Sequence, residues 1–81
     1  MSNLNLIFNF KGNILAMQCQ DTDKLKDVLQ RFANKVEKNV HDLDFYINSI
    51  RLVPCDKTLF TLQIKTFYTI NVVDKYQVYG G

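Results

Sequence analysis

Apolar and polar residues alternate with a period of two at the start of the chain. Leu4, Leu6, Phe8 and Phe10 are separated by Asn5, Ile7 and Asn9, the pattern of a strand with one buried face. Lys11-Gly12-Asn13 interrupts it, and Gly12 supplies the positive φ that a tight hairpin needs. Within Ile14–Cys19, Leu15, Met17 and Cys19 share one face, so the chain is expected to open with a β-hairpin. The period then lengthens. Leu25, Val28, Leu29, Phe32, Ala33 and Val36 recur at three- and four-residue steps and make one apolar stripe, with Lys24, Asp27, Arg31, Lys35 and Lys38 off it. The spacing predicts a helix from about residue 22 to 38, stopping near Asn39. Asp21 or Thr22 is expected to cap it, with Asp23 suiting its dipole and Asp27 pairing with Arg31.

Alternation returns at Leu43-Asp44-Phe45-Tyr46-Ile47, a third strand with Tyr46 off its inward face. Asn48-Ser49 is a turn, and Ile50-Arg51-Leu52-Val53 a short continuation. Pro54-Cys55-Asp56-Lys57 breaks regular structure. Thr58-Leu59 with Leu62 and Ile64 predicts a brief helical turn with its apolar side inward. Tyr68–Val73 is the last strand, with Ile70 and Val72 inward. One helix and one sheet must each cover the other's apolar face. The order predicts an α+β, β-grasp domain: a mixed four- to five-stranded sheet packed on one long helix, first and last strands side by side in the middle.

Composition narrows the function classes. Eighty-one residues make one domain with a small core. A net charge of +2 with scattered lysines gives no nucleic-acid footprint, and no apolar run is long enough for a membrane span. Cys19 and Cys55 form no CxxC pair, so a reduced thiol state is expected. His41 stands alone and reads as a loop histidine, Cys19 as a core residue, and no metal-ligand set is spaced for binding. Gly80 and Gly81, two of the three glycines, close the sequence. Without side chains, they give a thin carboxylate able to enter a narrow channel.

Taken in order, these pieces resemble ubiquitin and ubiquitin-like modifiers over nearly the whole length. The glycine hairpin, the Asp21-Thr22 helix start, the stripe from Leu25 and Leu29, and Phe45 to Leu52 all fall in the family's order. So do Lys57-Thr58-Leu59 with Leu62 and Ile64, Thr69 to Val73, and the closing Gly80-Gly81. The resemblance implies a ubiquitin-like domain over residues 1–73 and a flexible tail over 74–81. It also implies that Gly81 is the acyl group and Gly80 its spacer. An activating enzyme would adenylate the carboxylate with ATP and pass it to a cysteine. A conjugating enzyme would deliver it to a target lysine as an isopeptide bond, because an activated ester is an acyl donor where a carboxylate is not. That chemistry resides on the partners, so the chain itself is expected to be no enzyme and to need no cofactor or metal.

The resemblance further places Tyr46, Asn71 and Val73 on the family's partner-binding surface, which docks ubiquitin-binding-type domains. Lys75 and Gln77 stand where the family's tail arginines are read, and the positions of two chain-forming lysines hold Ile50 and Thr66. A dedicated or diverged modifier fits these departures better than ubiquitin itself. The implied partners are activating and conjugating enzymes, target proteins, and a processing protease or intein-like neighbour that could release Gly81 from a precursor. The expected state is a monomer in the cytoplasm or nucleus, with no nucleic acid and no membrane. Two other readings share the pattern: a β-grasp sulfur carrier with a C-terminal thiocarboxylate, and a non-conjugated ubiquitin-like interaction domain of a longer protein.

Overall fold

The computed structural model describes residues 2–76. Five strands form a mixed sheet: β1 (Asn3–Phe10), β2 (Asn13–Gln20), β3 (Leu43–Ile47), β4 (Ile50–Leu52) and β5 (Thr69–Asp74). The helix α1 (Leu25–Lys35) covers one face. The strand order is β2-β1-β5-β3-β4. The central pair, β1 with β5, is parallel, and the other neighbours are antiparallel. This is the expected α+β, β-grasp architecture, with the first and last strands in the middle.

The alternation in the sequence becomes two sheet faces. Leu6, Phe8, Phe45 and Ile70 turn inward and are fully buried against Val28, Leu29 and Phe32 of α1. Phe32 is the hub. It stacks on Phe8 with ring centroids 4.4 Å apart, and meets Phe10 and Phe45 edge-on at 5.8 and 6.1 Å. Offset-stacked and edge-to-face pairs are the favoured aromatic geometries. Leu59 and Ile64 close one end of this core.

Both tight hairpins depend on left-handed backbone. Lys11 and Gly12 have φ of 53° and 79°, and Asn48 and Ser49 have 49° and 66°. Two consecutive positive φ values define the turn whose twist matches the flanking strands. Gly12 was expected to supply such a value; Lys11 adopts one as well.

The helix differs from expectation at both ends. Asp21 and Thr22 do not cap it. Asp21 Oδ1 accepts the Ser2 backbone N–H at 3.1 Å, and Asp23 Oδ2 accepts that of Gln20 at 2.9 Å. The N-cap is Lys24, whose side chain makes no cap bond. The first free helical N–H groups are met by main chain instead: Leu25 donates to Lys57 O at 3.0 Å and Lys26 to Cys55 O at 3.1 Å. A helix start satisfied by a distant loop needs no capping side chain. Arg31 pairs with Asp23 at 3.0 Å rather than with Asp27.

At the other end Glu37 enters the left-handed region, φ 57°. Lys38 N–H reaches Ala33 O at 2.9 Å and Glu37 N–H reaches Asn34 O at 3.2 Å. That is a Schellman closure, usually made with glycine. It ends α1 before the expected residue 38.

Smaller boundaries shift for local reasons. The expected Thr58–Ile64 helical turn is a hydrogen-bonded turn, in which Thr58 Oγ1 accepts the Thr61 N–H at 3.1 Å. Leu59 and Ile64 point inward from it as expected. β4 stops at Leu52 rather than Val53. β5 is displaced by one residue, running through Asp74 because Asp74 pairs with Leu43. The sequence had placed Asp74 in the tail. Gln77, Gly80 and Gly81 lie outside the described residues.

Candidate functional site

The register of β3, β5 and β1 assembles one row on the sheet face away from the helix. Tyr46 sits opposite Asn71, and Asn71 opposite Asn9. Asn9 Nδ2 donates to Asn71 Oδ1 at 3.4 Å. Arg51 of β4 lies on the far side of Tyr46. Tyr46 is half-buried, with part of its surface open. Val73, two residues on from Asn71, is 42% exposed and faces Asp44 across β3. The three surface residues singled out from the sequence, Tyr46, Asn71 and Val73, therefore share one face of two adjacent strands.

Behind Val73 the sheet gives way to a charged clasp that the sequence did not reveal. Asp74 is the last residue of β5 and is 8% exposed. Its Oδ1 accepts the Tyr76 backbone N–H at 3.0 Å, and its Oδ2 lies 3.4 Å from Lys38 Nζ and 3.7 Å from Lys11 Nζ. The Tyr76 N–H does most to hold this carboxyl below its ordinary range. Lys38 and Lys11 add to it, and desolvation opposes. A shielded carboxylate persists only when paired and hydrogen-bonded.

Lys75 lies beside this clasp. Its backbone N–H donates to Asp42 O at 2.9 Å and its Nζ to His41 O at 3.0 Å. The same Nζ stands 3.7 Å from Asp44 Oδ1, which Arg51 Nη2 approaches to 3.3 Å. Among the described residues that oxygen accepts no hydrogen bond and is met only by these charges. So Lys75, expected as a tail-recognition residue, is tied at its root to the 3-10 turn Val40–Asp42 and to β3. His41 contributes its carbonyl there, not its ring. The clasp fixes where the chain leaves the sheet. One signal for it was present: the inward period of Ile70 and Val72 extends to Asp74, and an acid at an inward position requires cations.

Among the described residues, the remaining chemistry-bearing groups are not gathered into a reaction centre. Cys19 is buried, and burial pushes its thiol up against the opposing influence of Arg31. Cys55 is half-buried and lines an apolar groove of about 370 Å³ with Leu25, Ile47, Leu52, Leu62 and Ile64. Among the described residues no three His, Cys, Asp or Glu side chains cluster at metal-binding range. No helix among them is long and apolar enough to cross a membrane.

No family model matches the chain, and no curated protein matches it. Solved structures do. The ubiquitin-like domain of Arabidopsis thaliana protein At2g32350 superposes with a TM-score of 0.83 at 14% identity, covering 100% of this chain and 85% of that one. A second structure of the same plant protein gives 0.82 at 14% identity, covering 96% and 93%. A de novo designed protein based on ubiquitin gives 0.76 at 15% identity, covering 98% of this chain and 96% of that one. Identities this low speak to the fold, and together with the five-stranded sheet on one helix they show that the chain has the ubiquitin-like, β-grasp fold.

Proposed function

We propose that the chain is a ubiquitin-like protein modifier, joined through the Gly81 carboxylate to lysine amines of target proteins. The observation that carries this reading is the Gly80-Gly81 pair, placed in the sequence shortly after a β-grasp sheet whose last strand ends in a fixed clasp. An acyl donor of this kind needs a rigid body for recognition and a slender end for delivery. The clasp at Asp74 and Lys75 supplies a defined exit point between the two. An activating enzyme adenylates Gly81 with ATP and carries it as a cysteine thioester, and a conjugating enzyme transfers it to the target. Where Gly81 is internal to a precursor, a protease or intein-like neighbour exposes it first.

Tyr46, Asn71 and Val73 are the docking face for these partners. A partly open aromatic beside an exposed aliphatic is the composition that anchors protein interfaces. The chain carries no reaction of its own. Its place of action is the cytoplasm or nucleus, where free thiols persist.

The test is incubation of the full chain with ATP and a cell lysate, followed by mass spectrometry of the Gly81 end. A thiol-sensitive adduct followed by lysine conjugates is the expected result, abolished by Gly81→Ala with the fold unchanged. Conjugation that survives Gly81→Ala refutes the reading. Replacement of one terminal oxygen by sulfur would assign the chain to the sulfur carriers instead.

A further inference from the structure

β2 is one edge of the sheet, and among the described residues no strand pairs with its outer side. Its eight residues, Asn13–Gln20, contain no charge and no proline. They pair with β1 residue for residue, without a bulge. Natural edge strands are usually blunted by charge, proline, a bulge or shortness. The opposite edge shows those devices: β4 is three residues long, has Arg51 at its centre, and is soon followed by Pro54. β2 shows none.

The direction of its free backbone groups follows from the hairpin. The two-residue turn makes Phe10 and Asn13 a bonded pair, and bonded pairs then recur at every second position. Ile14, Ala16 and Gln18 therefore aim their N–H and C=O groups away from β1. The far side of β1 agrees. Ile7, opposite Ala16, donates its N–H to Tyr68 O, and Asn5, opposite Gln18, accepts the Phe67 N–H.

We propose that β2 is a self-association edge: a second copy of this chain pairs with it antiparallel, about a two-fold axis at Ala16. In this register Ala16 faces Ala16 of the second copy, and each Ile14 faces Gln18 of the other. All of these residues have outward-pointing backbone groups. On the helix side Leu15, part-exposed at this edge, meets Met17 of the other copy. On the open side Ile14, 65% exposed, is covered by Gln18. Registers centred elsewhere lose bonds. Centring on Met17 sets Ile14 against Gln20, whose N–H is given to Asp23 Oδ2 at 2.9 Å and whose C=O takes the Asp23 N–H at 2.9 Å, so both Ile14 pairs fail. Centring on Leu15 sets Gln18 against the Gly12 turn.

The absence of charge favours a copy of the chain as occupant. A two-fold axis at Ala16 sets that residue against its own copy, so a charge at the axis would oppose itself. None is present. The open sheet face beside the edge is also uncharged across Ile7, Asn9, Ala16, Thr69 and Asn71.

Sedimentation velocity on the full chain, from about 10 μM to about 1 mM, tests the proposal over the range expected of weak interfaces. The mass is expected to rise toward a dimer. Ala16→Pro removes an N–H that β1 does not use but the copy does, and should weaken the dimer at least about tenfold. Ala16→Lys should do the same by placing like charges at the axis. Amide NMR spectra verify that both variants stay folded; if the proline variant does not fold, the lysine variant decides. In a Cys55→Ser background, Ala16→Cys should oxidise to a disulfide dimer, because bonded antiparallel pairs have Cα atoms about 5.5 Å apart. A chain that stays monomeric throughout, or a dimer indifferent to both Ala16→Pro and Ala16→Lys, overturns the proposal.

Discussion

Replacing Glu37 with glycine should stabilise the protein, against the usual penalty for glycine inside a helix. Glu37 closes α1 at φ 57°, and the two hydrogen bonds of that closure hold it there. A side chain in the left-handed region costs about 1–2 kcal/mol from the clash of Cβ with the carbonyl oxygen. Glycine escapes this clash but loses about 0.5–1 kcal/mol through the extra freedom of its unfolded chain. Removing a negative charge from the negative end of the helix dipole returns roughly 0.3 kcal/mol. The net gain for Glu37→Gly is about 1 kcal/mol. For a domain of this size that raises Tm by about 5 °C. Glu37→Ala is the control. It removes the same charge but keeps a Cβ, so its gain should stay near 0.3 kcal/mol, the dipole contribution alone. Urea titrations and thermal melts followed by circular dichroism would measure both. If the glycine variant is no more stable than the alanine variant, the left-handed strain assigned to Glu37 is wrong.

Two further outcomes follow from the core and the clasp. Phe32→Ala should lose about 3–5 kcal/mol, because it empties the site where three aromatic rings converge. A domain this size holds only about 4–12 kcal/mol in total, so equilibrium urea unfolding should find the variant without a large share of its stability, and a loss under roughly 1.5 kcal/mol contradicts the hub. Asp74 has a folded carboxyl held below its ordinary range, so its stabilisation is complete above the unfolded value near about 4 and disappears as pH falls through the lower folded value. Between about pH 5 and pH 2, Asp74→Asn should lose less stability than the parent chain; equal acid sensitivity in the two argues against the clasp.

The parts of this fold that the sequence exposed are those decided by neighbours along the chain. β3 has its expected limits, Leu43–Ile47, because alternation and the Asn48-Ser49 turn mark both sides. The α1 stripe from Leu25 to Ala33 is buried as its spacing implied. The features that escaped are made by groups far apart in sequence. The start of α1 is satisfied by carbonyls of Cys55 and Lys57, so no local capping residue announces it. Arg31 chooses Asp23, which the turn brings closer than the helical neighbour Asp27. The candidate site divides in the same way. Tyr46, Asn71 and Val73 come together once β3 is laid beside β5. The Asp74 clasp draws cations from the hairpin and from the end of the helix, Lys11 and Lys38, which no periodicity relates.

The parallel pairing of β1 with β5 has a consequence for synthesis. The domain's first strand, Asn3–Phe10, finds its central neighbour only when the fifth strand, Thr69–Asp74, has emerged. Until then a nascent hairpin and helix lack the middle of their sheet, with the inner edge of β1 bare. A chain interrupted before Thr69 is therefore left open rather than shortened. Quality control on the ribosome would meet it as an unfinished protein with a sticky strand, whereas a chain that has passed Asp74 holds every strand of this sheet.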